Sequence, residues 1–176
     1  MKKFSLVMAA VCCSMALSAT TYNCHLKVIV NGTVTEQNQV PVEVTNNNGA
    51  YDLDLKNFVL IADDAQIPVG NITVNGVEGV DEFGYTTITY NEPVTITEGN
   101  DTQYDYWLGP MLGEVPIDLT ARFVNSALSA NIGIEMGDMS ISVEIFGVAP
   151  VLKGDVNNDQ EVNISDVNEV VDIMIK

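Results

Sequence analysis

The sequence is poor in the residues from which most catalytic centres are assembled. It carries one histidine, His25, and three cysteines in 176 residues. Cys12 and Cys13 fall in an apolar leader, so Cys24 is left alone. A lone cysteine excludes a disulfide framework, even in an exported chain, and reads as a small apolar residue at the start of the first strand. Basic residues are scarce as well: seven Lys and Arg stand against 24 Asp and Glu, a formal charge of −17. So acidic a surface excludes nucleic acid and anionic membranes as partners, because neither brings counter-charge. Past the leader, no apolar run is long enough to span a bilayer. No nucleophile elbow, zinc-ligand cluster or phosphate-cradling glycine loop is present. Carboxylates are so abundant that chance alone brings pairs together, so composition does not point to a glycosidase acid pair. His25 sits in an alternating strand beside Cys24 and reads as structural. The expectation is a protein that is not an enzyme.

What is present begins with the leader. Lys2 and Lys3 precede an uncharged apolar run over residues 4–17, followed by the small residues Ser18 and Ala19. Residues 1–19 therefore read as a secretory signal peptide, too short for a membrane span. Neither Cys12 nor Cys13 follows the small residue that a lipid-attachment site needs. Loss of the leader with its two lysines would take the charge from −17 to −19. The expected location is exported: periplasm, cell surface or extracellular space.

From residue 22 to residue 148 the apolar pattern has period two. Leu53 and Leu55 alternate with Asp52 and Asp54; Ile132, Ile134 and Met136 alternate with Gly133 and Glu135; Met139, Ile141, Val143 and Ile145 alternate with polar neighbours. Each strand thus has one apolar and one polar face, as antiparallel sheets with a wet side require. Turn signals recur at Asn31-Gly32, Asn46-Asn47-Asn48-Gly49, Asn75-Gly76, Glu98-Gly99-Asn100-Asp101 and Met136-Gly137-Asp138, where Asn and Gly tolerate positive φ. The pattern predicts an all-β fold of roughly eight to ten short strands, closed into a barrel or packed as a sandwich. Residues 98–113 are the least regular and carry Tyr104, Tyr106 and Trp107. Aromatic rings at a barrel mouth can stack on sugars or lipids, so these three are the candidate ligand-binding residues; they can equally brace the barrel end.

Three segments carry a family resemblance: Leu55-Lys56-Asn57-Phe58-Val59-Leu60, Ile67-Pro68-Val69-Gly70-Asn71-Ile72 and Leu112-Gly113-Glu114-Val115-Pro116-Ile117. They resemble the calycin-like β-barrel domain found in exported proteins of anaerobic bacteria. The resemblance implies a lipocalin-like, antiparallel up-and-down barrel over residues 20–148, without fixing a ligand.

The C-terminal segment, residues 149–176, has a different character. Side-chain oxygens fall at loop positions 1, 3, 5, 9 and 12 as Asp155, Asn157, Asp159, Asn163 and Asp166, with the backbone carbonyl of Glu161 at position 7. Calcium takes six to eight oxygen ligands, and this spacing wraps a loop around one ion. A helix is predicted to follow, capped by Asn163 with Asp166 near N3. Its apolar stripe is Val167, Val170, Val171 and Met174. Aspartate at position 12 makes the segment resemble one type I dockerin repeat. Gln160 departs from the glycine usual at position 6, which weakens binding if the backbone there is left-handed. Dockerins usually pair two repeats and one lies in this sequence, so its stripe would dock on the barrel, another copy or a protein partner. The sequence thus reads as a secreted, non-catalytic binding or assembly protein with a calcium-binding tail for attachment or self-association. The alternatives are a lipocalin-like carrier of a small apolar or glycan ligand, and an accessory component of extracellular polysaccharide degradation.

Overall fold

The computed structural model describes residues 18–62, 65–136, 139–150, 153–157 and 162–175. Residues 1–17 of the predicted signal peptide (residues 1–19) and the loop residues Asp159, Gln160 and Glu161 lie outside them. Among the described residues the fold is all-β with one α-helix. Ten antiparallel strands run through the described residues: β1 (Ser18–Val30), β2 (Thr33–Asn47), β3 (Ala50–Ala62), β4 (Ala65–Glu78), β5 (Val80–Glu82), β6 (Tyr85–Tyr90), β7 (Pro93–Thr95), β8 (Glu114–Val124), β9 (Ala127–Met136) and β10 (Met139–Val148). The helix α1 (Ile164–Met174) follows. The sheet order is β4-β3-β2-β1-β10-β9-β8-β6-β5, with β7 beside β8. β1 to β4, β5 with β6, and β7 to β10 pair with their neighbours in sequence, β6 pairs across β7 with β8, and β1 meets β10, which is an up-and-down wrapping. The first strand starts at Ser18 and so takes in the last two residues of the predicted leader, Ser18 and Ala19.

Alternation decides which side faces in. Leu26, Val28, Leu53, Leu55, Leu119, Ile132 and Ile145 are all but inaccessible and fill the barrel. Their polar neighbours point outward, where Lys27 pairs with Glu144 at 3.1 Å and Lys56 with Glu43 at 2.8 Å. Apolar inside and polar outside is the reverse of a membrane-spanning barrel, whose outer band is apolar. Among the described residues, no helix is long and apolar enough to cross a membrane.

The wall closes through irregular chain. β4 meets the segment after β7 at a single bridge, Asn71 with Thr97, whose N–H groups donate to each other's carbonyls at 2.9 and 3.1 Å. Leu108 N–H donates to the Pro68 carbonyl at 2.8 Å beside it. Gly70, at φ +124°, lies so close to the Thr97 carbonyl that no side chain fits there.

Turn chemistry explains most connections. Asn31-Gly32 and Asn48-Gly49 all have positive φ and turn β1 into β2 and β2 into β3. Asn75-Gly76 does not make a turn: it lies within β4, where Gly76 at φ +65° forms a bulge and donates its N–H to Asp52 Oδ1 at 2.7 Å. Bulges and tight turns ask for the same residues, which is why the sequence pattern misplaces it. Two further bulges, at Gln39 (φ +60°) and Asn57 (φ +53°), separate β2 from β3. Their pairing stops at Val42 opposite Leu55.

Candidate functional site

The barrel is packed at mid-height but opens at the end where β1 begins and β8 finishes. There a cleft of about 510 Å³ is lined from five parts of the chain: the starts of β1 and β3, the end of β2, the β5–β6 hairpin and the β8–β9 turn. Its floor is made of inward strand positions, Tyr22, Val44, Tyr51 and Phe123, all buried. Tyr51 and Phe123 meet edge to face, 5.0 Å between centroids. Tyr22 donates its hydroxyl to the Val124 carbonyl at 2.7 Å. Burial, reinforced by the nearby Cys24, pushes the Tyr22 phenol up to about 12. It is a fixed neutral donor, not an acid at neutral pH.

Polar groups ring the opening. The Asn46 amide donates to the Tyr51 hydroxyl at 3.2 Å and accepts from Gly49 N–H at 2.9 Å. On the hairpin, the Thr86 hydroxyl donates to Asp81 Oδ1 at 2.6 Å. Gly79 holds the hairpin against the floor: a Cβ there would strike the Tyr51 ring and the Thr86 methyl. At the hairpin tip stands Phe83, 95% exposed and with φ +52°. The sequence pattern did not single out this cleft, because its lining comes from strands distant in sequence.

The three predicted aromatics lie away from it. Trp107 is buried beside Gly99, and Tyr104 meets it edge-on at 5.4 Å while donating its hydroxyl to Gln66 Oε1 at 2.9 Å. Both are parts of the closing seam, next to an asparagine network in which Asn57 N–H donates to Asn71 Oδ1 at 2.8 Å and Asn57 and Asn100 bond twice. Tyr106 is 64% exposed and shares no ring contact with the other two. His25 sits on the outer wall, its Nδ1 2.8 Å from Asn38 Oδ1. Cys24 faces inward, and burial raises its thiol to about 11.

In the C-terminal segment, Asp155, Asn157, Asn163 and Asp166 are described, and Asp159 and Glu161 are not. α1 starts with a capping box: Asn163 Oδ1 accepts from Ser165 N–H at 2.7 Å, and Asp166 Oδ2 accepts from Asn163 N–H at 2.8 Å. Asp166 Oδ1 reaches back to the loop entry and accepts from Val156 N–H at 2.7 Å. Hydrogen bonds, first from Asn163 and then from Val156 and Asn157, hold its carboxyl below the ordinary value of 3.8 despite the opposing effect of burial. Asp155 and Asp166 are the buried charged side chains among the described residues, at 7% and 3% exposure. Two carboxylates drawn into one short loop, flanked by amide side chains, are an oxygen-only donor set that suits a hard cation. The described residues alone do not bring three acidic, histidine or cysteine ligands together. On α1, Val167, Val170, Val171 and Met174 are all exposed, Met174 at 79%.

Residues 19–147 match the family described as "Calycin-like beta-barrel domain", which leaves the C-terminal segment outside the match. No curated protein matches the sequence. Among solved structures, the fold is similar to that of a "putative outer membrane protein" from Bacteroides fragilis NCTC 9343, at TM-score 0.55 and 17% identity. The match covers 74% of this chain and 50% of that one, so the chain spans half the length of that protein.

Proposed function

The chain belongs to the calycin-like β-barrel domain family, and on that premise we propose that it is an exported, non-catalytic protein that binds a small molecule at the open mouth of its barrel. One observation carries this reading: the cleft of about 510 Å³ with a buried aromatic floor and a polar rim. Binding sites combine this concavity and apolar lining with a few orienting polar groups. Mid-barrel packing limits the ligand to the mouth, and no part of it threads the core. Export is supported by the charged, then apolar, then small-residue order of residues 1–19. The non-catalytic reading is supported by the single histidine on that outer wall, remote from the cleft.

A second reading, compatible with the first, concerns the tail. The buried Asp155 and Asp166 support a calcium loop in which Asp155, Asn157, Asp159, Asn163 and Asp166 contribute side-chain oxygens and Glu161 a carbonyl. The exposed stripe Val167, Val170, Val171 and Met174 supports attachment to a protein partner or to a second copy, with calcium fixing the loop ahead of the already capped α1. The dockerin-like spacing fits this role.

Native mass spectrometry of the mature protein, purified gently in calcium, tests both readings at once. The expected result is one calcium per chain together with a small-molecule mass, or uptake of added neutral apolar dye. A chain that retains nothing and takes up no dye overturns the cleft reading. A chain without calcium overturns the tail reading.

A further inference from the structure

A second concavity shares no residue with the mouth cleft. It is a groove of about 460 Å³ over β1, between β2 and β10. A bulge shapes it. Cys24 pairs with Val40 and Leu26 with Gln37, so Asn38 and Gln39 together stand against His25, with Gln39 at φ +60°. Bulges of this kind re-aim side chains. Here Asn38 is turned onto His25, its Oδ1 2.8 Å from the ring Nδ1. Across β1 the register sets His25 opposite Phe146 and Asn23 opposite Val148. Directly opposite residues share a face of the sheet. An imidazole and an amide therefore stand beside two apolar side chains that stay open to solvent, Phe146 at 52% and Val148 at 63% exposure.

The lining is selective in its chemistry. With Nδ1–H donating to Asn38 Oδ1, His25 keeps Nε2 as an acceptor and Asn38 keeps its amide N–H groups as donors. The side-chain amides of Asn23 and Gln39 make no hydrogen bond among the described residues. No Asp, Glu, Lys or Arg lines the groove, in a chain with 24 acidic residues. The new N-terminus left by loss of the leader, at Ala19 or Thr20, lies about 10 Å or more along β1 from Asn23. A purely apolar ligand would strip water from the amides and return nothing, and an ion finds no counter-charge. A pyranose suits both halves. One face of its ring is made of C–H groups that stack on an aromatic ring, and its hydroxyls donate and accept at once. From Phe146 to Asn38 the groove spans two strand spacings, about 10 Å, room for a mono- or disaccharide. We propose that this outer groove binds a neutral sugar, its C–H face on Phe146 and its hydroxyls on His25 and the amides of Asn38 and Asn23. The site stands apart from the mouth cleft, so each is tested without the other.

Glucose, galactose, mannose and N-acetylglucosamine serve as neutral probes for the mature protein, with glucuronate as the anionic control. Nitrogen–proton NMR reads where they bind, and fluorescence of the apolar dye Nile red reads the mouth cleft in the same samples. At least one neutral sugar is expected to shift the amide signals of residues 23–25, 38–39 and 146–148, with a Kd on the order of 1 mM, and to leave Nile red unmoved. Phe146→Ala is expected to weaken that sugar roughly tenfold, and Asn38→Ala roughly three- to tenfold, from the loss of one stacked ring or one hydrogen bond. Both side chains are exposed, so neither change removes core packing. Phe146→Trp keeps a stacking face and is expected to hold or tighten binding. Shifts from no neutral sugar, shifts confined to other residues, or unchanged affinity in Phe146→Ala overturn the assignment. Tighter binding of glucuronate than of every neutral sugar overturns it as well. Groove shifts in a protein that takes up no Nile red uphold this site and overturn the mouth cleft.

Discussion

Gln37 donates its side-chain amide to the backbone carbonyl of Val59 at 2.7 Å, across a stretch of wall where β2 and β3 share no ladder. The bulges at Gln39 and Asn57 pull the two strands apart below Val42, and this side chain stands in for the missing backbone bond. Gln37→Ala is therefore expected to destabilise the barrel by about 1–2 kcal/mol, since it leaves a part-buried carbonyl unpaired. Urea unfolding followed by tryptophan fluorescence measures it. An unchanged midpoint would mean that water already satisfies Val59 and that the amide bridge is incidental.

The Phe83-Gly84 turn joins β5 to β6 through two residues with positive φ, +52° and +81°. This conformation suits Asn-Gly, whereas an exposed phenylalanine in it costs about 1 kcal/mol. Phe83→Asn is expected to raise stability by up to that amount and to slow amide exchange in the hairpin. A lower urea midpoint would show that the Phe83 ring has a packing role that its exposure conceals.

Local chemistry was the legible part of this molecule. The alternation around Leu53 and Leu55, and around Ile141, Val143 and Ile145, set the inward faces, because a strand repeats every two residues regardless of its partners. The capping box of Asn163 and Asp166 was equally readable, since it spans four residues. Asn75-Gly76 shows where local reading stops: positive φ is common to bulge and turn, and only the pairing of Tyr51 with Val77 decides between them. The cleft was further out of reach. Tyr22, Tyr51 and Phe123 meet only after β1, β3 and β8 wrap into one barrel, and nothing in their own neighbourhoods marks them.

Two buried groups make the fold sensitive to alkali. Burial lifts the Cys24 thiol from 9.0 to about 11 and the Tyr22 phenol from 10.0 to about 12. Below about pH 8 both groups keep their protons, folded or unfolded, and neither opposes folding. As pH rises through 9 to 11 for Cys24 and 10 to 12 for Tyr22, the unfolded chain releases protons that the folded chain holds, so stability falls with pH. The urea midpoint is expected to drop across this range, and to drop less steeply in Cys24→Ala and Tyr22→Phe. Slopes equal to that of the unaltered protein would place the titration in other side chains.

Asp166 ties together two ends of the C-terminal loop, the Val156 N–H at the loop entry, ten residues before it in sequence, and the N-cap of α1. This role belongs to the carboxylate itself and precedes any cation, because its acceptor oxygens satisfy backbone donors that a helix start leaves open. Asp166→Ala removes the acceptors and is expected to melt α1 even in chelator, as loss of the α1 amide signals in a nitrogen–proton NMR spectrum. The barrel signals should stay in place, since the core residues all lie between Tyr22 and Ala149. If calcium also occupies the loop, adding it to the unaltered protein sharpens the same α1 signals, and adding it to Asp166→Ala does not. Barrel signals that collapse together with α1 would sink the division into a self-sufficient barrel and a separately ordered tail.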